Sequence, residues 1–459
     1  MTDETNVMRR SIMWVLASAL SIIYLSSCSK SNNDGGGTTT SDDDKRKDST
    51  LIYAREAYLW YNQIPATFNP RSYSDPNAIM QAIRNYSNEP GFSAPVDRWS
   101  FAMLQKDWDN ISQGISQDYG LGLFYRTNDD LRVTYVEPAS PAGKANVKRS
   151  WQIKKINDVT NVSYSNVNYV SDAIYRSSKI TIVFSRAGLA DTTVAMNAAT
   201  YTEDPILLDT VYNTGATKTG YFVFNTFLGD VEATKTKLQN LFAKFSTSNI
   251  SDMIVDLRYN GGGYVTLQDE LANYLAPNSA NGQTMEVQKY NDKLSQYNQT
   301  VKYNKKGTLN LSRIFIITTK NTASASELLI NNLKPFLNVQ LVGSKTHGKP
   351  VGYFPIPVMD WYVFPVSSRT VNKNGEGNYF NGFSPNATVE DGMDKNWGDI
   401  TETSLSAALK YINTGSYALV VQPGTGPLST EAAQVLSNYN DILSKHRFKG
   451  MVETPHPLK

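Results

Sequence analysis

The segment 321–327, Asn-Thr-Ala-Ser-Ala-Ser-Glu, combines small side chains with hydroxyl groups between two apolar runs. The run before it, Ile314–Thr319, is typical of a short buried strand, and the run after it, 328–337, has helical spacing. Ser324 would then stand at the amino end of a helix, where unpaired N–H groups favour negative charge. A serine there could attack a carbonyl group, and the resulting oxyanion would be stabilised. The alternative is a simple helix cap.

A lysine follows in the loop 343–350, Gly-Ser-Lys-Thr-His-Gly-Lys-Pro. The residues before it, Val339–Val342, indicate another short strand, so the spacing predicts a βαβ unit. Ser324 and Lys349 would both follow the carboxyl end of a strand, where open α/β sheets build their sites. Burial would lower the pKa of Lys349 and make its amine a general base toward serine. The alternative is a solvated loop cation.

Three consecutive glycines form the third chemical feature. A predicted strand, Met253–Leu257, runs toward Gly261, Gly262 and Gly263. Glycines cost backbone entropy, but they expose N–H groups to a ligand and tolerate positive φ. One glycine N–H and the N–H that follows a nucleophile could together bind an oxyanion. The alternative is a flexible surface turn.

The three segments occur in a characteristic order: DLRYNGGG at 256–263, TASASE at 322–327 and THGK at 346–349. Together they resemble the motifs of the carboxy-terminal processing, or tail-specific, serine peptidases. The resemblance implies that Ser324 is the nucleophile and Lys349 its general base. It also implies oxyanion donors in the region of Gly261 and Gly262 and at the N–H of Ala325.

Several positions depart from the family pattern. Thr322 replaces the first serine of its serine-rich run, and Pro350 replaces the glycine after the lysine. Tyr353 stands where the family often has a glutamine that holds the lysine, and its hydroxyl could accept from an ammonium or donate to an amine. His347 could titrate near neutral pH and is a second candidate accessory residue.

Charge and composition narrow the function classes. The chain has 459 residues, with 44 Lys and Arg against 42 Asp and Glu, and this balance argues against nucleic acid as the main partner. Three scattered histidines and one cysteine give no metal-ligand spacing, so we expect no metal and no cofactor.

The amino terminus predicts a cellular location. Arg9 and Arg10 precede an apolar run, 11–25, that is too short for a comfortable membrane span. The run leads to Leu-Ser-Ser-Cys at 25–28, which resembles the bacterial lipobox. Cys28, the only cysteine, would be lipidated after removal of a signal peptide over 1–28, and the alternative is an uncleaved anchor. A flexible tether over 29–50 would follow, in the envelope of a Gram-negative bacterium, on its periplasmic or outer-membrane face.

Residues 51–115 are expected to form a small N-terminal helical segment. Helices are predicted over Leu51–Tyr61 and Asn77–Tyr86. The runs 58–65 and 97–101 resemble the amino-terminal segment of Bacteroidetes-type members of the same peptidase family.

Residues 116–200 have the apolar pattern of β-strands, with candidate strands at 120–125 and 131–136. With Ser-Pro-Ala-Gly-Lys-Ala at 140–145, the pattern resembles a PDZ domain, which captures a chain end by adding it to a sheet edge. The resemblance maps the carboxylate-binding loop onto Tyr119, Gly120, Leu121 and Gly122. The alternative is a β-domain that only packs on the catalytic core.

Residues 205–415 alternate strands and helices, as expected of the crotonase-like α/β core that the family resemblance implies. The polar stretch 276–310 predicts a strand pair or a cleft-lining insertion. A helical tail over 416–459, with a helix at 430–445, has no predicted chemistry. The fold class is therefore α/β and β multidomain.

These features predict a lipid-anchored serine-type endopeptidase that acts on unfolded or carboxy-terminal polypeptide segments, as the resemblance implies. Two alternatives remain: a binding lipoprotein that keeps the fold to hold a peptide or glycan, and a peptidase activated only when the PDZ-like domain is engaged. The expected partners are a polypeptide substrate, the membrane through the lipid and, because family members often assemble, further copies of the chain.

Overall fold

The computed structural model describes residues 40–215, 217–417, 437–438, 440–444 and 447–453. The first elements of this part of the chain form a helical segment that includes one short strand. In chain order they are α1 (Asp42–Ala57), α2 (Pro76–Ile83), β1 (Phe101–Leu104) and α3 (Gln105–Ser112). The predicted helices over 51–61 and 77–86 correspond to α1 and α2.

Helix α1 begins inside the segment that the sequence predicts as a flexible tether, so that prediction is wrong for residues 42–50. Three aspartates occupy its first turn, where the helix dipole favours negative charge. The side chains of Lys47 and Thr50 are buried, and Arg46 donates to the carboxylate of Asp360 at 3.1 Å. Tertiary contacts therefore order a stretch whose composition alone is typical of a solvated linker.

The signal peptide and Cys28 lie outside the described residues, as do residues 29–39. Within the described ranges, no helix has the length and apolar character needed to cross a membrane.

A β-domain follows the helical segment. In chain order its elements are β2 (Ile115–Asp118), β3 (Leu121–Tyr125), β4 (Leu131–Val136), α4 (Pro141–Lys144), β5 (Gln152–Ile156), α5 (Val167–Tyr175), β6 (Lys179–Arg186), β7 (Leu189–Asn197) and β8 (Ala199–Thr202). Strands β3 to β7 form an antiparallel sheet in sequence order, and β2 pairs with β8. Because β3 is the edge strand of this sheet, its outer backbone groups face away from β4.

The α/β core begins with a strand that the sequence pattern did not predict. Its first elements are β9 (Ile206–Thr214), β10 (Thr217–Phe224), α6 (Val231–Thr247), β11 (Asp252–Asp256), β12 (Gly262–Tyr264), α7 (Val265–Leu275), β13 (Thr284–Tyr290), β14 (Gln299–Lys302), β15 (Arg313–Thr318), α8 (Ala325–Leu333) and β16 (Asn338–Gly343). Strand β9 pairs antiparallel with β10, which leaves it at the edge of the sheet.

The remaining elements complete the core. They are β17 (Val351–Gly352), β18 (Ile356–Val358), β19 (Trp361–Phe364), β20 (Ser368–Asn372), β21 (Ala387–Thr388), α9 (Thr403–Thr414) and β22 (Gly450–Val452). The central sheet has the order β21-β16-β15-β11-β10-β9, and its strands from β21 to β10 run parallel. Strands β13 and β14 are antiparallel, which confirms the predicted strand pair within 276–310.

Helices cover both faces of the central sheet. Helices α6, α7 and α8 pack on one face, where their apolar side chains meet those of β10, β11 and β15. Helix α9 packs on the other face. Strand β15, helix α8 and strand β16 form the predicted βαβ unit, with β15 and β16 adjacent and parallel. This unit brings the ends of two neighbouring strands together, and the loops that follow them carry Ser324 and Lys349.

Candidate active site

Ser324 stands immediately before helix α8 in a backbone conformation that L-residues rarely adopt. Its φ is 61° and its ψ is −109°. The loop behind it is fixed by Thr322, whose Oγ1 donates to the carbonyl of Leu257 at 2.8 Å and accepts from the N–H of Thr319 at 3.0 Å. The residue is fully buried. A strained, buried serine at a helix amino end is typical of a functional position.

Glu327 connects the serine loop with the lysine loop. Its fully buried carboxylate accepts hydrogen bonds from the following groups: Ser324 N–H at 2.9 Å, Thr346 Oγ1 at 2.6 Å, Gly348 N–H at 2.6 Å and Lys349 N–H at 2.8 Å. Burial raises the pKa of Glu327, and these hydrogen bonds oppose the rise. A single carboxylate therefore holds the backbones of both candidate catalytic residues in one arrangement.

The Lys349 side chain is fully buried beside an aromatic ring. Its Nζ lies 3.7 Å from the ring centre of Tyr353 and donates to the carbonyl of Lys449 at 3.3 Å. Burial lowers the pKa of the amine well below its ordinary value of 10.5, although the carboxylates of Asp97 and Glu327 oppose the change. The amine is therefore poised to act as a neutral base.

Ser324 and Lys349 are not hydrogen-bonded to each other in this arrangement. Within the described residues, the Oγ of Ser324 has no hydrogen-bond partner. The amine of Lys349 is instead directed to the carbonyl of Lys449, in the last described segment of the chain.

The glycines at 261–263 allow the close approach of other backbone segments. A Cβ on Gly262, whose φ is +105°, would lie 3.0 Å from the N atom of Ala325 and 2.3 Å from the carbonyl oxygen of Gly450. The position therefore requires glycine, for both conformation and space. However, the N–H of Gly262 donates to Asn260 Oδ1 at 2.9 Å, so it is engaged here rather than directed to an oxyanion.

The amino-acid sequence matches two known domain families over the regions just described. Residues 218–389, which contain the serine, the lysine and the glycines, match peptidase family S41, and residues 52–101 match the peptidase S41 N-terminal domain. The chain belongs to peptidase family S41. This confirms the resemblance based on the three motifs.

The chain is similar to CtpA-like serine proteases of staphylococci. It is 23% identical to that of Staphylococcus saprophyticus over 259 residues, which are 56% of this chain and 50% of the relative. It is 22% identical to that of Staphylococcus aureus strain COL over 361 residues, which are 74% of this chain and 70% of the relative. The match thus spans half the length of the first of these relatives.

A solved structure supports the fold. The crystal structure of an S41 protease from Bacteroides fragilis superposes with a TM-score of 0.66 at 24% sequence identity. The match covers 80% of this chain and 97% of that one. This similarity shows that the chain has the S41 protease fold, the mixed α/β multidomain class that the sequence predicts.

The two candidate accessory residues of the S41 site have roles that differ from the predictions. His347 accepts from Trp99 Nε1 at 3.1 Å, and burial lowers its pKa to about 3, so it does not titrate near neutral pH as expected. Tyr353 does not bond the lysine through its hydroxyl. Its ring face contacts the amine, and its hydroxyl donates to the carbonyl of Lys449 at 3.4 Å. Both residues therefore help to bury the site.

The predicted carboxylate-binding loop, Tyr119, Gly120, Leu121 and Gly122, has an acidic setting. The N–H of Gly120 donates to the carboxylate of Asp118 at 2.7 Å, and Tyr119 donates to the carbonyl of Ser177 at 2.8 Å. The carboxylate of Glu137 belongs to the same cavity of about 130 Å³. The guanidinium of Arg447 lines the same cavity, so the mapping of the carboxylate-binding loop onto residues 119–122 stays a prediction.

Sequence reasoning assigned no role to Glu327, Asp97 or the tail. Glu327 was detectable, because a serine followed three residues later by glutamate is the sequence signature of a capping box. Asp97 is buried and accepts from Tyr58 at 2.9 Å and from Ser100 Oγ at 2.5 Å, near the buried lysine. The tail residues 447–453 carry no motif, and only the fold brings them to the site.

Proposed function

We propose that this S41 family member is a serine endopeptidase with Ser324 as nucleophile and Lys349 as general base. The observation that carries the proposal is the fully buried Lys349 amine, with its lowered pKa, in a loop that Glu327 ties to the backbone of Ser324. A neutral amine is required for this chemistry, because only that form can accept the serine proton.

In this mechanism the Ser324 Oγ attacks the scissile carbonyl carbon while its proton passes to Lys349 Nζ. The N–H of Ala325, at the start of α8, would donate to the oxyanion. The tetrahedral intermediate collapses to an acyl-enzyme, and the Lys349 ammonium protonates the departing amine. Water, deprotonated by the same amine, then hydrolyses the ester and restores Ser324.

We propose unfolded or carboxy-terminal polypeptide segments as the substrate class. Support comes from the similarity to CtpA-like serine proteases and from the edge strand β3 of the β-domain, which we interpret as a PDZ-like module. An edge strand can bind an extended peptide through main-chain hydrogen bonds.

The test is cleavage of a reduced, unfolded protein by the full-length chain, beside Ser324→Ala and Lys349→Met. We expect the wild-type protein to cut and each variant to lose about 10³-fold or more in kcat, since the nucleophile and its base act as a unit. Circular dichroism should show that all three proteins are folded. Cleavage by Ser324→Ala at the wild-type rate would refute the assignment.

The second candidate function is peptide binding without catalysis. The unpartnered Ser324 Oγ and the engagement of Lys349 with Lys449 favour it. A fluorophosphonate probe separates the two, because it phosphonylates only an activated serine. Labelling of the wild-type protein but not of Ser324→Ala supports the peptidase, and the absence of labelling under all conditions supports the binding protein.

We also propose that Cys28 is lipidated and anchors the protein in a bacterial envelope. The proposal rests on the lipobox-like residues 25–28 after an apolar run. Radiolabelled palmitate should be incorporated by the wild-type chain and not by Cys28→Ser, which should move to the soluble fraction. Equal labelling of both would refute the anchor.

A further inference from the structure

The last described segment, residues 447–453, lies in the site as an added strand. Strand β22 pairs in parallel with β12, and the N–H of Gly450 donates to the carbonyl of Gly261 at 2.9 Å. On the other side of the segment, the N–H of Tyr353 donates to the carbonyl of Met451 at 3.1 Å, and the N–H of Glu453 donates to the carbonyl of Tyr353 at 3.0 Å. The segment is therefore held by main-chain hydrogen bonds on two sides, as a bound peptide is in strand addition.

The backbone of this segment reaches the candidate catalytic residues. The carbonyl of Lys449 accepts from Lys349 Nζ, and the carbonyl oxygen of Gly450 lies 2.3 Å from the position that a Cβ on Gly262 would take. These are the groups that a substrate backbone would have to meet. With the segment in position, Ser324 and Lys349 have no exposed surface.

Two side chains of the segment fill apolar subsites. The ring of Phe448 lies at centre distances of 5.4 Å from Trp108 and 6.2 Å from Tyr353. Met451 is fully buried and packs with Val265 and Leu328. Aromatic and apolar anchors of this kind give an extended peptide its register.

Arg447 occupies an acidic subsite. Its guanidinium lies 4.5 Å from the ring centre of Tyr135 and donates to the carbonyl of Asn225 at 3.1 Å. Burial lowers the pKa of Arg447, but the Tyr135 hydroxyl and then the acidic groups of Glu203 and Glu137 raise it on balance. Both acidic side chains line the adjoining cavity of about 130 Å³. The cavity is therefore suited to a cationic side chain.

The tail also contacts the β-domain before it reaches the catalytic core. Asn440 forms two hydrogen bonds with the backbone of Tyr125 in edge strand β3, at 2.7 Å to its N–H and 3.0 Å to its carbonyl. Leu443 is buried in the core of the β-domain. The same tail therefore follows the two surfaces that a peptide substrate is proposed to use.

We propose that residues 447–453 occupy, in the same molecule, the groove that binds the substrate peptide, and that this groove selects extended peptides with a cationic residue followed by an aromatic one. The proposal rests on the proposed peptidase function. Its consequences are that the tail competes with substrate and that substrates share the Arg-Phe pattern of the tail.

Two variants would displace the tail. A Cβ at position 450 would lie 2.0 Å from the Tyr353 hydroxyl and 2.2 Å from the Phe448 ring, so Gly450→Val cannot keep the segment in place. Arg447→Glu leaves the backbone bonds of β22 intact but directs a carboxylate at Glu137 and Glu203. Arg176→Glu is the matched control, because Arg176 makes the same charge change on an 80% exposed side chain.

Binding is measured in full-length Ser324→Ala protein with fluorescein-labelled Arg-Phe-Lys-Gly-Met-Val-Glu peptide, by fluorescence anisotropy. We expect Gly450→Val and Arg447→Glu to bind the peptide at least tenfold more tightly than Ser324→Ala alone or Arg176→Glu. A peptide with glutamate in place of the arginine should bind Gly450→Val at least tenfold more weakly. With Ser324 restored, both tail variants should cleave unfolded protein at least tenfold faster than wild type.

If both tail variants fold and their peptide binding and cleavage are unchanged, the proposal is wrong. It is also wrong if both variants lose their folded structure, because β22 would then be a permanent part of the fold. If Gly450→Val alone fails to fold, Arg447→Glu decides. Peptide binding without cleavage by any variant would refute the peptidase but retain the groove. Cleavage by wild type at the rate of the variants, with no peptide binding, would refute only the groove.

Discussion

Ser324 illustrates how a single residue depends on its surroundings. A positive φ in a serine costs about 1–3 kcal/mol, which neighbouring contacts must offset. Thr322 and Glu327 supply those contacts through the hydrogen bonds on either side of the serine. Lys349 shows the same dependence in its protonation, because its lowered pKa is a property of the enclosure and not of the residue.

Activity should depend on pH through Lys349. The amine must be deprotonated to act as a base, so activity is present above its lowered pKa and is lost as pH falls through that value. We expect kcat/KM to rise about tenfold per pH unit on the acid side and to level off before pH 10.5. A pH profile with an unfolded protein substrate measures this. His347→Gln is the control and should keep the midpoint, and a midpoint at 10.5 or above would contradict the assignment.

At the scale of elements, the site depends on how β15, α8 and the loop after β16 are joined. The βαβ unit brings the two loops to one end of the sheet, and Glu327 then fixes their backbones.

A second set of buried acidic side chains connects other elements of the core. Glu453, after β22, accepts from Ser368 Oγ in β20 at 2.8 Å, with Asp269 of α7 and Glu286 of β13 nearby.

Glu327→Gln should destabilise the protein and lower its activity. The amide nitrogen of glutamine cannot accept hydrogen bonds, so some of the four groups that donate to Glu327 would lose their acceptor. We expect this to lower the free energy of unfolding by about 3 kcal/mol. Urea unfolding measures the loss, and the cleavage assay measures activity. Glu232→Gln, on an exposed turn of α6, is the matched control and should change neither. Unaltered stability in Glu327→Gln would show that the carboxylate is not needed to join the loops.

Stability should fall as the buried acids ionise. Burial raises the pKa of Glu453 to about 7, and burial together with the nearby Glu453 raises the pKa of Asp269 to about 7. The folded protein therefore keeps protons that the unfolded chain has released, so stability is lost as pH rises from about 4 to about 7. Urea unfolding at several pH values should show that the free energy of unfolding decreases less with pH in Glu453→Gln than in the wild-type protein. Equal pH dependence in both proteins would contradict this explanation.

At the scale of the whole molecule, buried ion pairs connect the β-domain to the core. Arg149 donates to Asp391 at 2.6 Å and to the Tyr259 hydroxyl at 2.8 Å. Arg258 also donates to Asp391, at 2.7 Å, and pairs with Glu402. Although burial opposes ionisation, the two guanidinium groups lower the pKa of Asp391 to about 2. The arginine of the DLR motif therefore supports the junction of domains rather than the chemistry.

Arg149→Met should loosen this junction. Removing Arg149 leaves Arg258 alone to balance the buried acids Asp391 and Glu402, so we expect a loss of about 3 kcal/mol in the free energy of unfolding. Urea unfolding provides the measurement, and Arg176→Met, at an exposed site, should match wild type. Asp391→Asn added to Arg149→Met should recover part of the loss. No recovery would indicate that the arginine acts through packing alone.

Local patterns were sufficient for much of the fold. Short apolar runs predicted β11, β15 and β16, and helical spacing predicted α8, because each signal lies within a short stretch of chain. The edge strand β9 was missed although it forms a hairpin with β10, and α1 was taken for a linker because tertiary contacts order it. The Thr430–Lys445 helix was predicted, but much of that range lies outside the described residues.

By itself, the sequence determined the family and the candidate residues Ser324, Lys349 and Ala325, since three motifs in one order carry that information. The tertiary structure decided what surrounds them. It turned the hydroxyl of Tyr353 away from the lysine, engaged the N–H of Gly262 and brought 447–453 into the groove. The Gly262 N–H bonds to its near neighbour Asn260, whereas Tyr353 and Gly262 meet the tail segment at Lys449 and Gly450, far along the chain. The geometry of such distant contacts is fixed only when sheets, helices and loops pack together.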